Sequence, residues 1–309
     1  MRAHAVHDGS QGCIDQYQDQ CDSSHRIAPH GERASRGCQC YVPKVPRNNR
    51  KPGDGILTHT ALITGAGSGI GASTARRLHG EGWQVIAVDA NVEGLTDLMT
   101  ELGSERLVCH TCDVRREEQV DKLFSDVSAH VDVLNALVLS AGVLRTGRLE
   151  SMDAASFDQV FDVNVRGLWL CARGAVPLLR QAVAGGQKAA IVNLASIAGI
   201  RHKINSGAYA ASKAAVIALN KVLAVELAGD GIRVNAVAPA TVDTPMVAPH
   251  MAAGSNSGYK ASGTSPMGRI AGPEDIANAI VMLLGADAAY ITGTVVPVDG
   301  GTSAAFVPA

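Results

Sequence analysis

Five short runs of aliphatic, largely β-branched residues constrain the fold more than any other feature of the chain. They are Ala61-Leu62-Ile63-Thr64, Val85-Ile86-Ala87-Val88, Leu137-Val138-Leu139, Ala190-Ile191-Val192-Asn193 and Arg233-Val234-Asn235-Ala236-Val237. Each is apolar at successive rather than alternate positions, the pattern of a strand covered on both faces. Longer stretches with helical spacing of apolar residues separate them. This alternation predicts an α/β fold with one parallel sheet and helices on each side, and ligands of such sheets bind beyond the carboxyl ends of the strands.

The pattern starts at residue 56. Residues 1–55 hold four of the seven cysteines (Cys13, Cys21, Cys38, Cys40), four of the ten histidines and few large aliphatics. Such a segment cannot bury a core, so a disordered N-terminal extension over 1–55 is expected, followed by a single domain over 56–309. Cys38-x-Cys40 lacks the spacing of zinc knuckles and no His pair follows it, so no metal site is expected. Cys109, Cys112 and Cys171 fall in or near apolar segments, as reduced thiols do. The chain of 309 residues is 46% hydrophobic with a net charge of -2, which supplies a core but no basic field for nucleic acid. No run approaches about eighteen uninterrupted apolar residues and no secretory signal is visible, so a cytoplasmic protein without a membrane span is expected.

The first run leads directly into Thr64-Gly65-Ala66-Gly67-Ser68-Gly69-Ile70-Gly71, after which Ala72 to Leu78 reads as helix. Strand, glycine turn and helix in that order form a pyrophosphate cradle, because glycine lets the backbone approach the anion and the helix N-terminus presents its N–H groups. The second run ends at Asp89, twenty residues beyond Gly69. A carboxylate there can accept hydrogen bonds from an adenosine ribose and repels a 2′-phosphate, so NAD is expected rather than NADP.

Tyr209 and Lys213 in Tyr209-Ala210-Ala211-Ser212-Lys213 open a helical stretch, four residues apart and therefore on one face. An ammonium near a phenol favours the phenolate and can turn it into a general acid/base near neutral pH. Thirteen residues earlier, at the end of the fourth run, Ser196 offers a hydroxyl at the sheet's carboxyl edge. Asn164 interrupts a helical apolar pattern, where an inward polar side chain needs a hydrogen-bond partner.

These residues identify the resemblance. The stretch from about Leu57 to Thr302 resembles the short-chain dehydrogenase/reductase family, in the subgroup with a core of about 250 residues, through Thr64-Gly65-x3-Gly69-x-Gly71, Asp113-Val114, Asn164, Ser196, Tyr209-x3-Lys213 and Val298-Asp299-Gly300-Gly301. The resemblance implies a single Rossmann-type doubly wound sheet that binds NAD and catalyses hydride transfer between nicotinamide and a secondary alcohol or ketone. It implies Tyr209 as catalytic acid/base, Ser196 polarising the substrate oxygen, Lys213 lowering the Tyr209 pKa and holding the ribose, and Asn164 anchoring a water in a proton relay. Cofactor contacts follow at Gly65, Ser68, Gly69, Ile70, Gly71, Asp89, Asp113, Val114, Ser140, Ala141, Gly142, Tyr209, Lys213, Val242 and Thr244. It also implies a homodimer or homotetramer. Two departures stand out: Leu139-Ser140-Ala141-Gly142 replaces the family's usual Asn at its leading positions, and Pro239-Ala240 replaces Pro-Gly. The first puts strand support and adenosine contacts in question, and the second removes a flexible residue.

Pro245 to Pro273, with Lys260 and Arg269 as its only fixed charges, reads as a substrate lid and favours a small, largely neutral alcohol or ketone, cyclic ones included. Ala141 to Gly147 is similar locally to 2,3-dihydro-2,3-dihydroxybenzoate dehydrogenases, where Arg145 would face a substrate carboxylate or simply solvent. The competing readings are an NADPH-linked 3-oxoacyl or polyketide-type ketoreductase, opposed by Asp89, and a non-catalytic dinucleotide sensor, opposed by the presence of all four proton-transfer residues.

Overall fold

The computed structural model describes residues 59–252 and 263–305. The expected N-terminal extension, its four cysteines and Lys260 lie outside the described residues.

Seven parallel strands form one sheet in the order β3-β2-β1-β4-β5-β6-β7. They are β1 (Thr60–Thr64), β2 (Gln84–Asp89), β3 (Leu107–Thr111), β4 (Ala136–Leu139), β5 (Ala189–Leu194), β6 (Ile232–Pro239) and β7 (Val295–Val298). The five predicted runs lie within β1, β2, β4, β5 and β6. The other two escaped the apolar-run signal: β3 carries His110 and Thr111 at its carboxyl end, and β7 is a half-exposed edge strand containing Pro297. A strand edge tolerates a residue that cannot donate to the ladder.

Successive residues of each strand face opposite sides, and both sides are filled. Leu62, Ile86, Leu137, Leu139, Ile191 and Val234 pack beneath α3 (Glu117–His130), α5 (Leu168–Ala184) and α6 (Gly207–Ala228). Their neighbours Ile63, Val85, Ala87, Val138 and Val192 pack beneath α1 (Gly69–Gly80), α2 (Val92–Leu102) and α8 (Pro273–Leu284), the last preceded in the chain by the short α7 (Ala248–Ala252). Each fully buried leucine or isoleucine contributes about 2 kcal/mol, which is why these runs show no polar alternation. The 22-residue α6 is long and apolar enough in composition to cross a membrane, but its inner face packs on the sheet.

Chain order reverses between β1 and β4. The chain winds from β1 to β2 and β3, then returns to β4 and continues outward on the other side. The carboxyl ends of β1 and β4 therefore diverge into loops that leave a crevice, the usual ligand position in a doubly wound sheet.

Candidate active site

The crevice is built first from glycine. Gly65 takes φ +69°, and a Cβ there would stand 2.7–2.9 Å from the backbone of Ser140 and Ala141. A Cβ on Gly71 would stand 2.0 Å from the Gly65 carbonyl oxygen. The ends of β1 and β4 meet closely because Gly65 has no side chain, and α1 folds back onto the loop because Gly71 has none. The Ala141 N–H donates to Thr64 Oγ1 at 3.2 Å, which supplies local support where Ser140 replaces the family's asparagine. α1 then begins at Gly69, and its first-turn N–H groups have no acceptor within the helix. The Ser68 hydroxyl makes no capping bond, so the loop is a ready anion cradle.

Asp89 fixes the outer part of this loop. Its carboxylate accepts from Gly67 N–H at 2.9 Å and from Asn91 N–H at 2.8 Å, one on each oxygen. Each oxygen keeps lone pairs for a ribose hydroxyl. Gly94, on α2, was not among the predicted residues. A Cβ there would lie 2.2 Å from the Gly67 carbonyl oxygen, so α2 abuts the loop directly. The signal was available, since a glycine inside a helix costs roughly 1 kcal/mol relative to alanine and needs a reason.

The second half of the crevice comes from β5 and α6. Ser196 follows β5, and its Oγ accepts from Ala198 N–H at 3.1 Å and donates to the Pro239 carbonyl at 3.4 Å. Lys213 is buried, and its Nζ donates to the Leu194 carbonyl at 2.7 Å while lying 5.7 Å from the Tyr209 ring centroid. Burial pulls the Lys213 pKa down to about 8. The ammonium is therefore desolvated beside the phenol, where its field is least screened. A Cβ at Gly142 would come within 3.7 Å of Nζ and 3.3 Å of Asn164 Oδ1, so that turn shapes the space around both.

Asn164 differs from its expected setting. It lies in a π-helical segment, Asp162–Gly167, between α4 (Ala154–Phe161) and α5. Its Oδ1 accepts from Val143 N–H at 2.8 Å, while Nδ2 donates to the Val143 carbonyl at 3.1 Å and to Ser212 Oγ at 3.0 Å. Ser212 in turn donates to the Tyr209 carbonyl at 2.7 Å. Both amide hydrogens are thus engaged in clamping the β4 turn to the start of α6. Ser212, absent from the predicted set, completes this clamp.

One open cleft unites the parts. Gly65, Ser68, Gly69 and Ile70 line one end, Ser140 and Gly142 the floor, and Ser196, Tyr209 and Lys213 the other end. Val242, Thr244, Pro245, Met246 and Val247 cover it. Thr244 reaches across to Gly69, its Cγ2 lying 3.1 Å from where a Cβ would project. Gly71, Ala141 and Asn164 support the lining from behind, and Asp89 joins it through Gly67. Asp113 and Val114 lie outside the lining. Both Asp113 carboxylate oxygens receive the Arg115 guanidinium at 2.6–3.0 Å, which holds its carboxyl below the usual range, while Val114 is buried against Gly167. Arg145 is exposed, donates to Gln159 Oε1 and the Leu144 carbonyl, and does not line the cleft.

A family profile described as Enoyl-(Acyl carrier protein) reductase matches residues 65–303. The chain is a short-chain dehydrogenase/reductase. This dehydrogenase/reductase is 37% identical over 257 residues to the cis-4-hydroxycyclohexanecarboxylate dehydrogenase of Sinomonas cyclohexanicum, an alignment covering 82% of this chain and 99% of that one. The crystal structure of levodione reductase superposes with a TM-score of 0.74 at 35% identity, covering 81% and 100% of the two chains. A 3-ketoacyl-(acyl-carrier-protein) reductase from Brucella melitensis complexed with NADH gives 0.72 at 33% identity, covering 79% and 98%. ElxO with NADP bound also gives 0.72, at 29% identity over 81% and 100%. As a short-chain dehydrogenase/reductase, the chain is an oxidoreductase acting on CH–OH groups and binds a nicotinamide dinucleotide.

Proposed function

We propose that the chain is a cytoplasmic NAD-dependent dehydrogenase that interconverts a small secondary alcohol, cyclic ones included, with its ketone. The observation that carries this reading is the convergence of Ser196, Tyr209 and Lys213 on the same cleft as the glycine loop. The cradle fits a dinucleotide pyrophosphate, since the first-turn N–H groups of α1 lack acceptors within the helix and the Ser68 hydroxyl does not cap them. Asp89 supports NAD over NADP, because its carboxylate sits on the loop where a 2′-phosphate would meet a second negative charge. Bound NAD would supply the hydride acceptor.

The protein's part is the proton and the orientation. Lys213, as ammonium, favours the Tyr209 phenolate, which accepts the alcohol proton during oxidation and returns it during reduction. Ser196 Oγ, already oriented by Ala198 and the Pro239 carbonyl, holds the reacting oxygen. Asn164 acts through its clamp on Val143 and Ser212, steadying the first turn of the helix that carries Tyr209. Gly65, Ser68, Gly69, Ile70 and Gly71 hold the pyrophosphate. Ser140, Ala141 and Gly142 border the adenosine side, Asp113 and Val114 the adenine, and Val242 and Thr244 the carboxamide. The apolar cover from Met246 and Val247 suits a neutral ring or short chain. Arg269, the one fixed cation of the lid among the described residues, is paired with Asp275 at 2.5 Å and offers little to an anion. Cyclic substrates gain support from the names of the two relatives that act on six-membered rings. Exposed Trp169, Val222 and Val225 on α5 and α6 support self-association as a dimer or tetramer.

Tyr209→Phe tests the reading. Turnover of the preferred alcohol, followed as NADH formation, should fall by about 10²-fold or more while NADH still binds. Parent-like turnover would refute the assignment.

A further inference from the structure

The closing motif Val298-Asp299-Gly300-Gly301 takes no part in the chemistry above, yet it builds a defined turn. The Asp299 carboxylate accepts from Gly301 N–H at 3.0 Å and Ser303 N–H at 2.7 Å, and Thr302 Oγ1 donates to the Asp299 carbonyl at 2.7 Å. With the turn's N–H groups satisfied inward, its last carbonyls point away from it. Arg201 receives them: its Nη1 donates to the carbonyls of Thr302 at 2.9 Å, Ser303 at 3.2 Å and Ala305 at 3.0 Å. Arg201 makes no ion pair with a carboxylate among the described residues.

One end of this connection is the turn that carries the cleft-lining Ser196; the other is the 265–269 segment, whose continuation at the Ala271 carbonyl accepts from Asp243 N–H at 2.9 Å, between the cleft-lining Val242 and Thr244. Arg201 closes the turn that begins at Ser196, its N–H donating to the Ile197 carbonyl at 2.7 Å. On the other side, Gly300, at φ +57°, leaves no room for a Cβ against Ser265, and its carbonyl accepts from Met267 N–H at 3.3 Å. Ser265 to Arg269 is the stem by which the lid segment rejoins the sheet and α8. The serine turn and the lid stem are therefore linked only a few residues apart, through the C-terminal turn.

We propose that Arg201 is a positioning residue that fixes the lid stem relative to the Ser196 turn, and so sets affinity for the alcohol rather than for the dinucleotide. This rests on the dehydrogenase reading. Ser196 itself has separate anchors, Ala198 and Pro239, and the glycine loop lies at the opposite end of the cleft. Loss of the clamp loosens one wall and leaves the reacting groups in place.

The experiment pairs steady-state kinetics with hydrogen exchange on the full chain carrying Arg201→Ala or Arg201→Lys. In Arg201→Ala the KM for the alcohol should rise about fivefold or more, with kcat and the KM for NAD within about twofold of the parent. Amides of 301–305 and 265–268 should lose protection while β1, β4 and β5 keep theirs. Arg201→Lys, which retains a cationic donor, should recover most of both effects. Unchanged exchange at 301–305 would show that the clamp does not form, whatever the protein's activity. Loosened exchange with an unaltered alcohol KM, or a parallel loss in kcat and NAD affinity, would overturn the positioning role. Absence of turnover in the parent would count against the dehydrogenase reading and leave exchange to decide the clamp.

Discussion

Replacing Gly199 with alanine puts one methyl group where the structure has no space for it. The Cβ would stand 2.7 Å from the Lys213 carbonyl carbon, 2.8 Å from Ala214 nitrogen and 2.9 Å from the Lys213 carbonyl oxygen, whereas ordinary contact begins at 3.4 Å. Every obstructing atom is backbone, so no rotamer change relieves the clash. The serine turn and α6 must separate by about 0.7 Å, the difference between 3.4 and 2.7 Å. Gly199 N–H also donates to the Ser196 carbonyl at 3.0 Å, so movement at 199 is passed to the hydroxyl proposed to hold the reacting oxygen. A displacement near 1 Å in a reacting constellation costs about 10²-fold, so a loss of roughly 20- to 100-fold is expected in the hydride-transfer step. Overpacking destabilises by about 1–3 kcal/mol, offset by about 0.4–1 kcal/mol because alanine restricts the unfolded chain. The net loss should be at most about 2.6 kcal/mol. Single-turnover NADH formation measures the first quantity, urea denaturation the second, and NADH fluorescence should report nearly unchanged cofactor affinity. Gly229→Ala is the control, since a Cβ there meets nothing within 4 Å. Parent-like single-turnover rates in Gly199→Ala would refute the claim that this contact sets the spacing of Ser196 and Tyr209.

Lys213→Met should abolish turnover yet stabilise the fold at pH 7. Burial holds the Lys213 pKa at about 8, against 10.5 when exposed, so between those values the unfolded chain binds a proton that the native state has released. Native stability therefore rises with pH through that window, and the cost of the buried charge stands in full below it. The variant should exceed the parent by up to about 3 kcal/mol at pH 7, with the gap closing towards pH 10.5 in chemical denaturation. A variant less stable than the parent at pH 7 would contradict this. Asp89→Ser should shift the ratio of kcat/KM for NADP to that for NAD upward by about tenfold or more, as removing one repulsion of about 1.4 kcal/mol requires. It should also raise the KM for NAD, because Gly67 N–H loses its acceptor; an unchanged ratio would return the NADPH-linked reading to contention.

The site was legible wherever chemistry is local in the sequence. The glycine loop announces itself because strand, turn and helix are contiguous, and Tyr209 and Lys213 announce themselves because four residues make one helical turn. Asn164 was visible as a polar interruption, but its π-helical setting was not, since apolar spacing is nearly the same in either helix. Gly94 and Gly199 carried weaker signals. A glycine shows that something must come close, while the identity of the neighbour depends on backbone 27 residues away at Gly67 and 14 away at Lys213. Arg201 looked like any exposed loop arginine because its acceptors lie 101 to 104 residues downstream.

Residue order alone determined the layering of this protein, because burying a strand on both faces demands consecutive apolar side chains whatever the rest of the chain does. It also determined the kinds of group available for catalysis. Only the tertiary structure decided how far apart those groups stand. Their separation is set by backbone contacts between segments apart in sequence, at Gly65 with Ala141 and Gly199 with Lys213, where the presence or absence of a single carbon atom governs the distance.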